Sequence, residues 1–260
     1  MLLEFIQYLT NPGSKFARQL GYNKELIAIN ARYKRNKTAW RTHLQNSQNT
    51  ILQAAELCPT KNHTMILGAG LLYDIPIAQL VRTFQHITLV DIAFSAQAKK
   101  VARTNKKIEL IEHDLNGLDQ NISGLTRDTL SEINACLPQT KQPVDLIISA
   151  NVLSQLHLAP VHFLEEKLKL REEVLFEFAQ QLLQAHIDLL RGQTSRVCLI
   201  TDYLRFHEIR GNKTCESALL GIELPEPDQS WRWQIAPEGE LAKNESMETL
   251  VYAYQDFNHQ

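Results

Sequence analysis

The four cysteines, Cys58, Cys136, Cys198 and Cys215, are widely scattered and include no Cys-x-x-Cys pair. That spacing offers neither a structural zinc site nor a disulfide framework. Cys136 and Cys198 lie in apolar runs and are expected to be reduced core residues, which suits a reducing compartment. No uninterrupted apolar run approaches the roughly 20 residues of a membrane span. The apolar start, Met1 to Leu9, is short, broken by Glu4 and preceded by no basic segment, so it does not read as a signal peptide. An excess of one charge is missing too. Against 27 Lys and Arg stand 29 Asp and Glu, a formal net charge of −2, which gives no global drive toward nucleic acid or an anionic membrane. Internal repeats and low-complexity tracts are absent. These absences lead to the expectation of a cytoplasmic protein with no metal or membrane partner, for which nucleic acid is not favoured.

What is present is ordinary globular material. With 260 residues and 44% hydrophobic content the chain suits one large α/β domain with an appendage. Residues 1–58 read as helical: Leu26, Ile29, Ala31 and Tyr33, then Ile51, Leu52, Ala55 and Leu57, recur at helical spacing, with a break at Asn11-Pro12-Gly13. Arg32, Lys34, Arg35, Lys37 and Arg41 make this part basic, and Pro59 ends it. Short apolar runs then alternate with amphipathic segments. Strands are expected near 64–68, 87–91, 108–112 and 144–149, and helices near 74–84, 93–104 and 122–136, the pattern of βαβ crossovers and a parallel sheet. A helical region over about 161–190 precedes a strand at Arg196 to Asp202. Its leucines fit a core-packing helix. Two further strands, Trp231 to Ala236 and Thr249 to Phe257, have no helix between them and imply an antiparallel hairpin at the sheet edge.

The chemistry concentrates where strands end. Thr64-Met-Ile-Leu-Gly-Ala-Gly70 reads as a buried strand running into a Gly-x-Gly turn, where glycines let the backbone approach a ligand closely. The second strand, Ile87 to Asp91, closes on a carboxylate about 20 residues on, the offset of an acid that accepts hydrogen bonds from a ribose diol; the same Asp also suits a helix N-cap. Asp114 ends the third strand, where a carboxylate can accept from an adenine amine while Leu115 packs on the ring. Together the three strand ends would line one crevice at the carboxyl edge of the sheet.

With Leu67-Gly-Ala-Gly70, Leu89-Val-Asp91, His113-Asp-Leu115, Val144-Asp-Leu-Ile-Ile-Ser-Ala-Asn151 and the terminal hairpin, the chain resembles the class I S-adenosylmethionine-dependent methyltransferases over roughly residues 60–257. The resemblance implies an α/β, Rossmann-like, seven-stranded, mostly parallel sheet with a terminal antiparallel hairpin, plus an N-terminal helical cap: 1–58 the cap, 59–260 the methyltransferase domain. It implies S-adenosyl-L-methionine as cofactor. Gly68, Ala69 and Gly70 would lie by its methionine part, Asp91 with Ile92 by the ribose, Asp114 with Leu115 by the adenine, and Ala150 with Asn151 by the sulfonium end. Two positions depart from the family pattern. Ile66 stands where an acid usually precedes the first glycine, and Leu72 where a third glycine is common. Asp74 can substitute for the missing acid, or simply stabilise a helix N-terminus. A nicotinamide dehydrogenase is the nearest competitor, but its fingerprint wants a small residue where Tyr73 stands. The departures also leave open a binding module without turnover.

Methyl transfer from a sulfonium is an in-line displacement governed by alignment, so a conspicuous catalytic residue is not required. Asn151, Ser154 and His157 after the fourth strand, and Asp202, Tyr203 and His207 after the fifth, are the candidates on the acceptor side; a histidine there can take a proton from oxygen or nitrogen. Ser149-Ala-Asn-Val152 is not the Asn/Asp-Pro-Pro-aromatic signature of nucleobase amino-group methylation. A helical cap over the crevice suits a small or medium acceptor rather than a polymer. Arg32, Arg35 and Arg41 either clamp an anionic group of that acceptor or form a solvated face with ion pairs.

Overall fold

The computed structural model describes residues 14–118, 130 and 134–260. Any helix at Met1 to Leu9, and most of the one expected over 122–136, lies outside these residues; 134–136, within them, is not helical.

The order of elements is α1 (Lys15–Gln19), α2 (Tyr22–Arg35), α3 (Lys37–Leu57), β1 (His63–Leu67), α4 (Ile77–Thr83), β2 (His86–Asp91), α5 (Ala96–Thr104), β3 (Ile108–Glu112), β4 (Leu146–Ala150), α6 (Leu158–Leu168), α7 (Glu172–Arg191), β5 (Arg196–Ile209), β6 (Asn212–Ser217), β7 (Gln229–Ala236) and β8 (Glu245–Tyr254). The strands form one sheet in the order β3-β2-β1-β4-β5-β8-β7, with β6 paired to β5 off this path. Strands β1 to β5 pair in parallel, and β8 enters antiparallel between β5 and β7. The fold is α/β and Rossmann-like.

Alternation along the strands makes the two layers. Ile66, Leu89, Ile148 and Ile200 face Ile51, Ala54 and Ala55 of α3 and Leu80 of α4. Met65, Leu67, Val90, Ile147 and Leu199 face Leu183, Ile187 and Leu190 of α7. Both faces are covered, so the central strands read as continuous apolar runs.

The expected mostly parallel sheet with an antiparallel end is present: seven strands lie along its path, and β6 is added beside them because β5 continues past the parallel core to Ile209 and turns back. A register shift between Asp202 and Leu204 marks where the parallel strand becomes the middle of an antiparallel extension. Two expectations need correction. The helical region over 161–190 is two helices: Lys169 takes φ 49° after α6, and a left-handed residue stops a helix. Cys198 is buried in β5, whereas Cys136 is only half-buried, in irregular chain beside His113.

The N-terminal helices pack on the sheet end that carries β7. Trp40 Nε1–H donates to Ile235 O at 3.0 Å, and its ring meets Trp233 edge-on at 4.9 Å. Among the described residues no helix is long and apolar enough to cross a membrane.

Candidate cofactor and acceptor site

Strand β1 ends at Leu67, and Gly68 N–H donates to Val90 O of β2 at 3.0 Å, so the glycine turn is tied to the neighbouring strand tip. Gly68 has φ 79°, and a Cβ there would stand 2.8 Å from Ala150 O of β4. A Cβ on Gly70 would stand 2.7 Å from Ala93 O and 3.0 Å from Asp91 Oδ2. Both glycines are therefore required by close backbone approach. Gly70 N–H donates to Asp91 Oδ2 at 2.8 Å, and Ala93 N–H donates to Oδ1 at 3.2 Å. Burial pushes the Asp91 carboxyl up to about 6 despite these backbone donors. His113 N–H donates to Asp91 O at 3.1 Å, which draws the tip of β3 alongside.

Asp114 is buried and accepts from Asn116 N–H at 3.2 Å and Leu118 N–H at 2.6 Å. Those bonds fold the loop after β3 around the carboxylate, with Leu115 buried beside it. Ala69 and Ala150 are buried, and Ile92 is half-buried between Asp91 and Ala93. The strand-end residues named from the sequence thus gather along one edge of the sheet.

The first helices cover that edge with residues the sequence did not single out as functional. Tyr22 is close enough to Asp114 and Asp91 for both carboxylates, after burial, to raise its phenol pKa. One turn on, Leu26 Cδ1 lies 3.0 Å from the Cβ position of Gly70. Another turn on, Asn30 Oδ1 accepts from the Tyr73 hydroxyl at 2.5 Å, and Tyr33 stacks on Tyr73 at 3.8 Å. These four form one stripe of α2, because residues three and four apart share a face. The spacing signals a packed helix face; nothing in it signals what the face covers.

From α3 comes His43, also missed. Its ring stacks on Trp233 at 3.8 Å and 6°, accepts from Trp231 Nε1–H at 3.2 Å and lies 3.4 Å from Asn151 Nδ2. Asn151 Nδ2 is 2.7 Å from Asp74 Oδ2, while its Oδ1 is buried without a partner and its backbone has φ 53°. Burial raises the Asp74 carboxyl and lowers the His43 imidazole to about 3.

On the side of β5, Asp202 is 4% exposed; its Oδ2 accepts from Ser154 Oγ at 3.4 Å and its Oδ1 has no partner. His157 is buried, its Nδ1 is unpartnered, and burial with nearby Arg205 pushes it down to about 4. Tyr203 stacks on Tyr252 at 4.1 Å. His207 stands farther along the extension, its Nε2 2.6 Å from Glu245 Oε1. The chain after β4 and strand β5 therefore bring Ser154 to Asp202, leave His157 beside Arg205 and leave His207 engaged with β8. The basic helix residues divide similarly: Arg35 Nη2 pairs with Glu240 at 2.5 Å and Arg32 Nε lies 3.8 Å from it, which fastens α2 to the loop between β7 and β8. Those two arginines meet on a Glu240 side chain that is only 8% exposed. Among the described residues no group of three metal-ligating side chains is assembled.

No protein-family model and no curated protein matches the sequence. Solved structures of similar fold include NodS, an N-methyltransferase from Bradyrhizobium japonicum WM9: 12% identical, over 83% of this chain and 96% of that one, with a TM-score of 0.37. The DhpI–SAH complex is 10% identical, over 90% of this chain and 95% of that one, with a TM-score of 0.36. YcgJ from Bacillus subtilis is 14% identical with a TM-score of 0.32; the match covers 61% of this chain and spans about half, 51%, of that one.

Proposed function

We propose that the chain is an S-adenosyl-L-methionine-dependent methyltransferase that acts on an oxygen or nitrogen acceptor of small or medium size. One observation carries the reading: Gly70 has no room for a Cβ and donates its N–H to Asp91. A backbone cradle and a strand-end acid held in register suit a nucleoside. The residues fit the cofactor. Gly68, Ala69, Gly70 and Asp74 would hold its methionine part, Asp91 and Ile92 the ribose, Asp114 and Leu115 the adenine, and Ala150 and Asn151 the sulfonium end. Tyr22 and Leu26 would close over it, which favours a cap made of residues 1–58 on a 59–260 domain. The bound cofactor supplies an electrophilic methyl on sulfur. The chain's part is to align an acceptor, exclude water with α2 and α3, and hold the acceptor's polar group at Asn151 or at the Ser154–Asp202 pair.

The sheet order argues against the dehydrogenase. A dinucleotide fold uses the all-parallel order 3-2-1-4-5-6, whereas here an antiparallel strand follows β5. Titration calorimetry with S-adenosylmethionine, S-adenosylhomocysteine and NAD tests the assignment. Binding of the first two, abolished in Asp91→Ala, is the expected result; binding of NAD alone would overturn it. A methyl-transfer assay over amine, phenol and carboxylate acceptors then separates an enzyme from a binding module.

A further inference from the structure

His43 stands between two hydrogen-bond donors, and a neutral imidazole accepts only one. The indole Nε1–H of Trp231 can only donate, so His43 Nδ1, 3.2 Å away, carries the lone pair. The buried ring is neutral, and its single proton must then sit on Nε2. That Nε2–H points at the Asn151 amide nitrogen, 3.4 Å away, which is also a donor. Meanwhile Asn151 Oδ1 is buried with no partner at all.

Trp231 cannot reverse its bond, but a side-chain amide can turn over, since its oxygen and nitrogen are interchangeable in shape. Turned over, Asn151 offers its oxygen to His43 Nε2–H, and the conflict at His43 disappears. The same oxygen then meets Asp74 Oδ2 at the 2.7 Å now spanned by the nitrogen. Two acceptors at that separation need a proton between them.

We infer that Asp74 holds a proton in the resting protein, and that His43 is the positioning residue that turns the Asn151 side-chain oxygen toward Asp74 and frees its NH2 group. The surroundings agree. Burial disfavours a charge on Asp74 and outweighs the donors it meets, the Asn151 amide and its own backbone N–H; Asp91 nearby is of like sign, and Tyr73, its neighbour along the chain, and His43 of α3 are both neutral. With Asp74 protonated, the Asn151 NH2 takes the buried position where Oδ1 has no partner, and would suit a carbonyl or anionic oxygen brought to it. With Asp74 ionised, the amide turns back to donate to the carboxylate and presents its oxygen, which suits the N–H or O–H of a nucleophile. The state of one carboxyl therefore sets the polarity that β4 shows to a ligand. Reading that ligand as a methyl acceptor rests on the proposed function; the proton on Asp74 does not.

Infrared spectra of protein labelled with [13C]aspartate, at pH 7 and without ligand, test the assignment. The wild type should show an un-ionised carboxyl band that Asp74→Asn lacks. His43→Phe keeps a ring to stack on Trp233 but removes the Nε2–H, and should shift the titration midpoint of that band down by about one pH unit or more. The 15N shifts of the wild-type His43 ring should report a proton on Nε2, which decides the tautomer even if Asp74→Asn fails to fold. An ionised Asp74 in the resting wild type, or a His43 proton on Nδ1, would overturn the inference. Neither reading uses S-adenosylmethionine, so a protein that ignores that compound would sink the proposed function while leaving this result to stand or fall separately.

Discussion

Gly70 and Asp91 act as a single residue pair. A methyl group at position 70 cannot fit between Ala93 O and Asp91 Oδ2 without moving the strand tips. Gly70→Ala is expected to weaken S-adenosylmethionine binding at least about tenfold, measured by calorimetry on protein whose circular dichroism is unchanged. Asp91 has its own signature. Its pKa rises from 3.8 to about 6 on folding, so the folded form prefers the neutral acid. Its contribution to stability is complete below pH 3.8, and it is lost as pH climbs through about 6. Asp91→Asn removes that loss, so its Tm relative to wild type should improve between pH 4 and pH 7; a constant difference over that range would contradict the assignment. Position 72 tells a related story. Leu72 adopts φ 61°, a left-handed conformation that suits glycine. The backbone keeps the glycine-like turn, and the side chain packs partly against the buried core.

At the scale of elements, α2 is the decisive one. Its stripe from Tyr22 to Tyr33 lies along the glycine turn and the acids, so its removal by point changes should be felt by the cofactor before the fold. Tyr22→Ala is expected to raise the dissociation constant for S-adenosylhomocysteine several-fold while shifting Tm little, and Tyr22→Phe should fall between Ala and wild type if the hydroxyl contributes. Equal affinities for all three would remove α2 from the site. The α6–α7 junction makes a separate prediction about stability. Lys169 is exposed and held at φ 49°, a conformation that costs a residue with a Cβ and suits glycine. Lys169→Gly should stabilise the fold by roughly 0.5–1 kcal/mol, read from the denaturant midpoint at constant slope. Periodicity alone reads 161–190 as one helix because its leucines stay in phase. No Gly or Pro marks the break, so a left-handed lysine is invisible in the sequence.

For the whole molecule, the N-terminal helices and the sheet share one core. Trp40, 4% exposed, belongs to the same buried cluster as Ile66, Leu89 and Ile200. Trp40→Ala should therefore cost about 3–5 kcal/mol in a single cooperative transition. Two separated transitions would instead mean that residues 14–57 and the sheet fold apart.

The sequence alone determined the parallel core, the Gly-x-Gly turn and the acids at positions 91 and 114, because each is written in local order: an apolar run, a glycine pair, a carboxylate at a strand end. It also determined the antiparallel end of the sheet, since two strands without a helix between them have no room for a crossover. Only the tertiary structure decided that Tyr22 stands over Asp91 and Asp114, that β5 outruns the parallel sheet to make an eighth strand, and that His43 from α3, Asp74 after β1, Asn151 after β4 and Trp231 in β7 form one chain of polar contacts. These are meetings between residues distant in sequence. Spacing along a chain fixes which face a side chain occupies, but packing fixes what that face meets.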